Sequence, residues 1–215
     1  MSDKELIPLG AAIAGDIMSA FQLPGGNTVS KIAEKWLERK RAEAAEILIN
    51  EVSIGGPIDF SEHDVDPLIE ISYRFAKAVN DGAARENLRL LAQVIVGLKK
   101  NKALEPDKFR KWANTLEQLT RDELMVIGKA VSIKRRMSAT GAAFNTNEFA
   151  NCLRSELTSS GYAQTEIDPL CASLVRTGLL LTASGYGGVI VPLPTSWLDE
   201  LGALADVEGL VGTRG

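Results

Sequence analysis

Apolar residues recur every three or four positions over most of the chain, the spacing that places them on one face of an α-helix. Each such stretch begins at a capping residue or proline and ends near glycine or another helix-breaking signal. Because the connections between the stretches are short, successive helices are expected to run roughly antiparallel, as in a bundle or in stacked helical hairpins. The predicted helices begin near Asn27 or Thr28, Asp66, Ala83, Pro106 and Thr120.

The clearest single boundary is the start of the last of these helices. The residues Thr120-Arg121-Asp122-Glu123 match a capping box. In that motif the first and last side chains accept hydrogen bonds from each other's backbone amides. A helix is therefore predicted to begin directly after Thr120.

The pattern changes after Gly141. Two further helices are predicted, one from Thr146 to the glycine at 161 and one over 165–177. Two short apolar strands follow, over 179–183 and 189–193, and a glycine-rich turn joins them. Pro192 and Pro194 confine the second strand to a sheet edge, because proline cannot donate to a central ladder.

Helices followed by a strand hairpin are typical of a winged helix. The expected fold class is therefore mainly α, with a helical bundle or stacked hairpins followed by a small α+β unit. The expected domains are a helical region over 1–140, a winged-helix-like unit over 141–204, and a disordered tail over 205–215.

The charges of this unit do not suit DNA. A recognition helix normally carries basic or amide side chains at its start, and the wing adds further basic residues. Here the helix over 165–177 carries Glu166 and Asp168 and one basic residue, Arg176, near its end. The turn over 184–188 has no basic residue. We therefore expect this unit to serve protein contact or dimerisation.

The strongest electrostatic feature lies in the helical region. The chain as a whole has a net charge of −4. Antiparallel helices are nevertheless expected to gather three basic clusters at one end, here called the basic pole. Cations in a last helical turn complement the helix dipole, so the pole is either ordinary surface charge or a site for an anionic partner: RNA, DNA, acidic lipid or acidic protein. The clusters are Lys99, Lys100 and Lys102; Lys108, Arg110 and Lys111; and Lys134, Arg135 and Arg136.

Other candidate chemistry is sparse. His63, the only histidine, lies in an acid-rich loop that could hold a divalent cation, but helix capping explains the acids better and no second nitrogen or sulfur ligand is present for zinc. Cys152 and Cys171 have no Cys-x-x-Cys partner and are expected to be reduced in a cytoplasmic protein. The apolar segment over 6–21 is predicted to be neither a membrane span nor a signal peptide. A buried packing helix is favoured there over a membrane-surface helix. The three tryptophans are expected to be core anchors. No cofactor or metal is predicted.

Four stretches of the chain have a recognisable pattern: the run over 85–92, Phe109 with Trp112, the turn over 119–124, and the run over 174–180. Together they resemble a set of bacterial proteins that pair an α-helical region with a winged-helix-like end. Some members of that set are linked to phage defence of the abortive-infection type. The resemblance spans about residues 65–200 and implies no active-site residues.

Two functions follow as hypotheses. The leading one is a cytoplasmic, non-enzymatic bacterial protein that acts by protein association through the winged-helix-like unit. The alternative is a nucleic-acid-binding regulator that uses the basic pole. An enzyme ranks third, because the sequence contains neither a nucleophile-base pair nor metal-ligand spacing.

Overall fold

The computed structural model describes residues 31–54, 64–141, 143–184 and 190–210. In that part of the chain it contains eight α-helices and one two-stranded antiparallel sheet, so the prediction of a mainly α fold is confirmed. The segment over 6–21, the cap at Asn27 or Thr28, His63 and the turn over 185–188 lie outside the described residues. The elements are α1 (Lys31–Ile54), α2 (Val65–Asn80), α3 (Arg85–Lys100), α4 (Pro106–Leu116), α5 (Arg121–Ala139), α6 (Thr146–Ser159), α7 (Gln164–Ser173), β1 (Leu180–Ser184), β2 (Ile190–Pro194) and α8 (Ser196–Leu204), with short 3-10 helices over Leu174–Thr177 and Glu208–Leu210.

The chain divides into two compact units, Met1–Gln118 (unit 1) and Leu119–Gly215 (unit 2). This boundary precedes α5, whereas the change in composition placed it near Gly141. The physical reason is packing, because α5 contacts α6, α7, α8 and the last 3-10 helix. A winged helix has three helices before its hairpin, and α5 supplies the first of them.

Unit 1 is built on α3, whose apolar side chains are almost all buried. Helix α1 packs on α3 and α2, and α4 packs on α2 and α3. Its largest fully buried side chains include Phe75, Phe109 and Trp112. Helix α2 has Asp64 as its N-cap, two positions before the predicted N-cap Asp66. Its C-cap is Asp81, and the next residue, Gly82, has a φ of +87°. The prediction of a core tryptophan is confirmed at Trp112.

The other two tryptophans are not core residues. Trp36 is 48% exposed and Trp197 is 42% exposed. Their positions do follow helical spacing, but that spacing does not tell whether another element covers the helix face. The prediction that they anchor a core is therefore wrong.

In unit 2 the capping box of α5 is formed as predicted. The Thr120 amide donates to Glu123 Oε2 at 3.0 Å, and the Glu123 amide donates to Thr120 Oγ1 at 3.2 Å. Helix α6 is capped by Asn145, whose Oδ1 accepts from the amides of Asn147 and Glu148. The three helices α5, α6 and α7 pack against one another. Their shared core is formed by buried apolar side chains, among them Leu124, Ile127, Phe149, Leu153, Ile167 and Leu174.

The hairpin follows Gly178, which ends the first 3-10 helix with a φ of +72°. Leu180 pairs with Pro194 and Thr182 pairs with Pro192. The Thr195 amide donates to the Leu179 carbonyl at 3.2 Å, which fixes the alternation of hydrogen-bonded pairs along the ladder. Both prolines then fall at positions where the backbone nitrogen points away from β1. This placement lets two prolines lie in a five-residue strand without breaking it.

The predicted disordered tail needs correction as far as Leu210. Ala205 and Val207 are buried, and the 3-10 helix Glu208–Leu210 packs against α5. The approach is close: a Cβ added at Gly128 on α5 would lie 3.3 Å from the Val207 carbonyl oxygen. The segment is ordered because it covers part of the unit 2 core, which its composition does not reveal. Residues 211–215 lie outside the described residues.

Candidate association surface of unit 2

The single basic residue of the recognition helix region is held by an acid on α5. Arg176 makes a bidentate contact with Glu123, from Nη1 to Oε1 at 2.5 Å and from Nη2 to Oε2 at 2.9 Å. Ser173 Oγ also donates to Glu123 Oε1, at 2.6 Å. Together with the Thr120 amide, these donors surround a carboxylate whose side chain is only 5% exposed.

This environment keeps Glu123 ionised. Burial alone would raise the pKa of its carboxyl, but the hydrogen bonds from Arg176, Ser173 and the Thr120 backbone outweigh it and lower the pKa to about 2. A buried carboxylate in turn needs the guanidinium beside it, since an unpaired buried charge is costly. Arg176 therefore ties the end of the recognition helix region to the start of α5, and a phosphate would have to compete for it.

The two acids of α7 also have structural partners. Glu166 caps its own helix by accepting from the Ala163 amide at 2.8 Å. Asp168 accepts from Arg154 Nη2 at 3.0 Å, and the same guanidinium group donates to the Ile190 carbonyl on β2. The basic side chains close to α7 are thus engaged with carboxylates and carbonyl oxygens. These contacts are more consistent with a helix that is held by bonds within unit 2 than with a helix that binds DNA.

The residues assigned to the basic pole fall in different units, six in unit 1 and three in unit 2. Four of the six in unit 1 contact an acidic side chain or an aromatic ring. Lys100 and Lys102 are exposed. The contacts are Lys99 with Asp64 at 2.6 Å, Lys108 with Glu105 at 2.8 Å, Arg110 with Asp107 at 3.0 Å and Glu70 at 3.2 Å, and Lys111 Nζ over the Trp112 ring at 4.4 Å.

The three cations at the end of α5 fasten the elements that cover this helix. Lys134 pairs with Asp199 at 2.6 Å and donates to the Thr195 carbonyl. Arg135 pairs with Glu208 at 3.2 Å and donates to the Gly202 carbonyl. Arg136 pairs with Glu156 on α6. These contacts give the three cations a structural role within unit 2, and they weaken the case for an anionic partner.

The hairpin carries a face that the sequence analysis did not identify. Leu181 pairs with Leu193, and Ala183 pairs with Val191, so these four side chains share one side of the sheet. The opposite side bears the buried Leu180 and Pro192 and meets the helices. We call the four-residue side the outer face. Its residues are exposed or half-buried, with Leu181 at 48%.

The signal for the outer face was present in the sequence. A hairpin with one solvated side alternates apolar and polar residues, whereas Leu180-Leu181 and Val191-Pro192-Leu193 are apolar without interruption. Uninterrupted apolar strands are typical of sheets that are covered on both sides. In the described part of unit 2 one side is covered and the other is not.

The base of the hairpin is rigid. Thr195 Oγ1 donates to the Gly178 carbonyl at 2.6 Å and also caps α8 by accepting from the Trp197 amide at 3.2 Å. The Trp197 ring lies directly on Gly178, where an added Cβ would be 2.8 Å from the ring atom Cε3. Glycine is required here for two reasons, the positive φ and the close ring. The outer face is thus presented by a hairpin that is fixed at its base.

Other sites offer less chemistry. A cleft of about 470 Å³ between α5 and α8 is lined by Lys134, Arg135 and Asp199, but these charged groups already bond one another or neighbouring residues. Burial raises the pKa of the Cys171 thiol to about 11, so this cysteine is a poor nucleophile. Cys152 and Cys171 are both free thiols. Within the described ranges, no group of three or more His, Cys, Asp or Glu side chains is placed to hold a metal ion.

Comparison with known proteins finds no matching family model, no similar curated protein and no similar solved structure. The resemblance to the abortive-infection set therefore stays a prediction. Among the residues that the structure describes, no helix combines the length and apolar character needed to cross a bilayer.

Proposed function

We propose that this chain acts by associating with another protein chain through the outer face of the unit 2 hairpin. The observation that carries the proposal is the apolar character of that face, Leu181, Ala183, Val191 and Leu193, on the element that a DNA-binding winged helix would make basic. A contiguous apolar surface that is displayed on a fixed element is typical of an interaction site.

Covering the outer face with a partner is energetically favourable. Leu181 leaves about half of its surface in water, and Val191 and Leu193 are half-buried. Covering apolar surface releases about 25 cal/mol per Å². A strand pair keeps the four side chains on one side without further ordering, so little conformational entropy is lost when a partner covers them.

The proposal is of a non-enzymatic protein in a reducing compartment, the cytoplasm. The compartment is supported by the two described cysteines, which are both free thiols, since oxidising compartments favour disulfides. The alternative, a nucleic-acid-binding regulator, has less support. Its three candidate cations in unit 2 and three of the six in unit 1 are engaged in ion pairs.

The test compares two variants of the purified chain. Leu181→Thr with Val191→Thr makes the outer face polar while keeping residues that favour strands. Ile69→Gln is the matched control, since Ile69 is 54% exposed but lies on α2 of unit 1. Sedimentation velocity reports self-association, and quantitative affinity capture from the source cells reports other protein partners.

We expect the double variant to lose at least about tenfold in affinity for whatever the wild type binds, because two apolar contacts are removed. The control should bind as the wild type does. Equal binding by all three proteins would overturn the proposal.

A further inference from the structure

Two neighbouring helices of unit 1, α1 and α2, are antiparallel. Glu43 on α1 pairs with Arg85, at the start of α3, at 3.4 Å. Further along α1, Glu51 pairs with Arg89, one turn further along α3, at 2.5 Å. Helices α1 and α3 therefore run in the same direction, whereas α2 and α3 are joined by a short turn at Gly82 and run in opposite directions. Because α1 also packs on α2, these two helices are antiparallel neighbours.

One side-chain bond gives the register of this helix pair. Arg41 Nε donates to Asn80 Oδ1 at 3.2 Å. Measured from that bond, Ile49 lies about 12 Å along α1 and Tyr73 lies about 10 Å along α2, in the same direction. Ile69 and Tyr73 also share a stripe of α2 with Asn80, because residues four, seven and eleven apart lie on one helix face. The exposed apolar side chains of the two helices are therefore neighbours.

These side chains form an apolar surface, which we call the seam. Ile49, Ile69 and Tyr73 are exposed, and Val52 is half-buried. None of the four is charged, and no element in the described part of unit 1 covers them. An apolar surface that extends over two helices is typical of an interaction site.

We propose that the seam is the docking site of the chain's own N-terminal segment over 6–21. The inference concerns unit 1 and is independent of the hairpin in unit 2. The segment has one charged residue in sixteen, and its spacing predicts a helix with an apolar stripe. A helix of this kind needs an apolar surface to cover it. The stripe consists of Leu9, Ile13, Ile17 and Phe21.

The segment can reach the seam from its place in the sequence. Residues 22–30 connect it to α1 and include Pro24-Gly25-Gly26, a turn signal. A helix over 6–21 is about 24 Å long, and Lys31 and Ile49 are about 27 Å apart along α1. The connection spans up to about 30 Å when extended. A chain that turns back at the glycines therefore lays the segment along α1 as far as the seam.

Two features favour this segment over a separate partner. The segment is tethered next to α1, so its effective concentration at the seam is of millimolar order, which a separate chain must exceed. The segment also carries small residues one turn apart, Gly10 with Ala14 and Ala11 with Gly15. Small residues at this spacing let a helix approach its neighbours closely.

The test measures how fast a maleimide labels a thiol placed on the seam. Tyr73→Cys is the probe and Glu70→Cys is the matched control, because both residues lie on α2 and are 53% and 48% exposed. Glu70 lies away from the seam, where Arg110 contacts it. Both variants carry Cys152→Ser, and Cys171 is buried and unreactive. Labelling at position 73 should be at least about tenfold slower than at position 70, since the segment must first detach.

Variants of the segment show what protects the probe. Ile13→Lys with Ile17→Lys puts charge on the apolar stripe and should raise the labelling rate at position 73 to that at position 70. Ala12→Lys with Ser19→Lys adds the same charge to the opposite helix face and should leave the protection intact. Ile49→Cys probes the seam from α1 and should give the same two results. Melting followed by circular dichroism checks that every variant is folded.

Several outcomes would overturn the inference. One is equal labelling at positions 73 and 70 with the native segment, which needs no segment variant to be read. Another is protection that survives charging of the apolar stripe. Protection that increases with protein concentration would assign the seam to a second copy instead. None of these measurements involves the unit 2 hairpin, so the proposed function is tested separately.

Discussion

The bond between Glu123 and Arg176 gives the most direct test of how unit 2 is held together. Arg176→Ala leaves a carboxylate that is 5% exposed with only the Ser173 hydroxyl and the Thr120 amide. Removing one partner of a buried ion pair costs about 3–5 kcal/mol. Because Arg176 itself is 48% exposed, water can reach the vacated space. We therefore expect a smaller loss of stability, about 2 kcal/mol, which is typical of losing a charged hydrogen-bond partner.

The pH dependence of stability provides an independent check. The pKa of Glu123 is lowered from 4.5 to about 2 on folding, so its ionised form stabilises the fold by about 3 kcal/mol at neutral pH. This stability is present above pH 4.5 and is lost as the pH falls towards 2, and about 2 kcal/mol of it should be gone by pH 3. Glu123→Gln should remove that acid-sensitive part.

Urea unfolding followed by circular dichroism measures these free energies. The matched control is Arg121→Ala, an exposed arginine on the first turn of the same helix, which should change stability by less than about 0.5 kcal/mol. In a unit of this size Arg176→Ala should lower the melting temperature by roughly 8–16 °C. The reasoning is refuted if the two arginine variants behave alike, or if Glu123→Gln keeps the full pH dependence of the wild type.

Further predictions concern the core, the C-terminal segment, a thiol and nucleic acid. Leu174→Ala removes a side chain with no exposed surface and should cost about 2–5 kcal/mol in urea unfolding, and a neutral result would show that this face is not core. Val207→Ala should cost about 1–3 kcal/mol, whereas a disordered tail would tolerate it. Cys171 should react with Ellman's reagent only on unfolding, because burial raises its pKa to about 11, and fast reaction of this thiol in native buffer would contradict that. Duplex DNA should bind no tighter than the roughly 10⁻⁴–10⁻⁶ M of non-specific contacts at physiological salt, and nanomolar sequence-specific binding would favour the regulator instead.

Local signals were enough to predict most of the secondary structure. The capping box at Thr120, the stops at Gly161 and Gly178 and the strand prolines all act within a few residues of themselves, so reading them needs no tertiary information. The division between units could not be read in this way. It depends on what α5 packs against, which is a long-range property, and the change in charge near Gly141 points to a different place.

The candidate sites show the same limit. The basic residues of α5 were found correctly as a cluster, but their partners Asp199, Glu208 and Glu156 lie 20 to 73 positions away in sequence. A cluster of like charges along one helix does not show whether acids from other elements neutralise it. The outer face was not predicted, because its residues were interpreted only as strand formers and not as a sign that both sides of the hairpin are apolar.

The contact of Val207 with α5 has a consequence for how the chain is made. Helix α5 begins unit 2, yet part of the surface that it buries is supplied by a segment some eighty positions later. During synthesis this helix leaves the ribosome with its apolar side uncovered, and part of that side stays uncovered until α8 and Val207 have followed. Unit 2 therefore completes its folding only after nearly all of its residues have been translated, and a nascent chain stalled before Val207 would offer an exposed groove to chaperones.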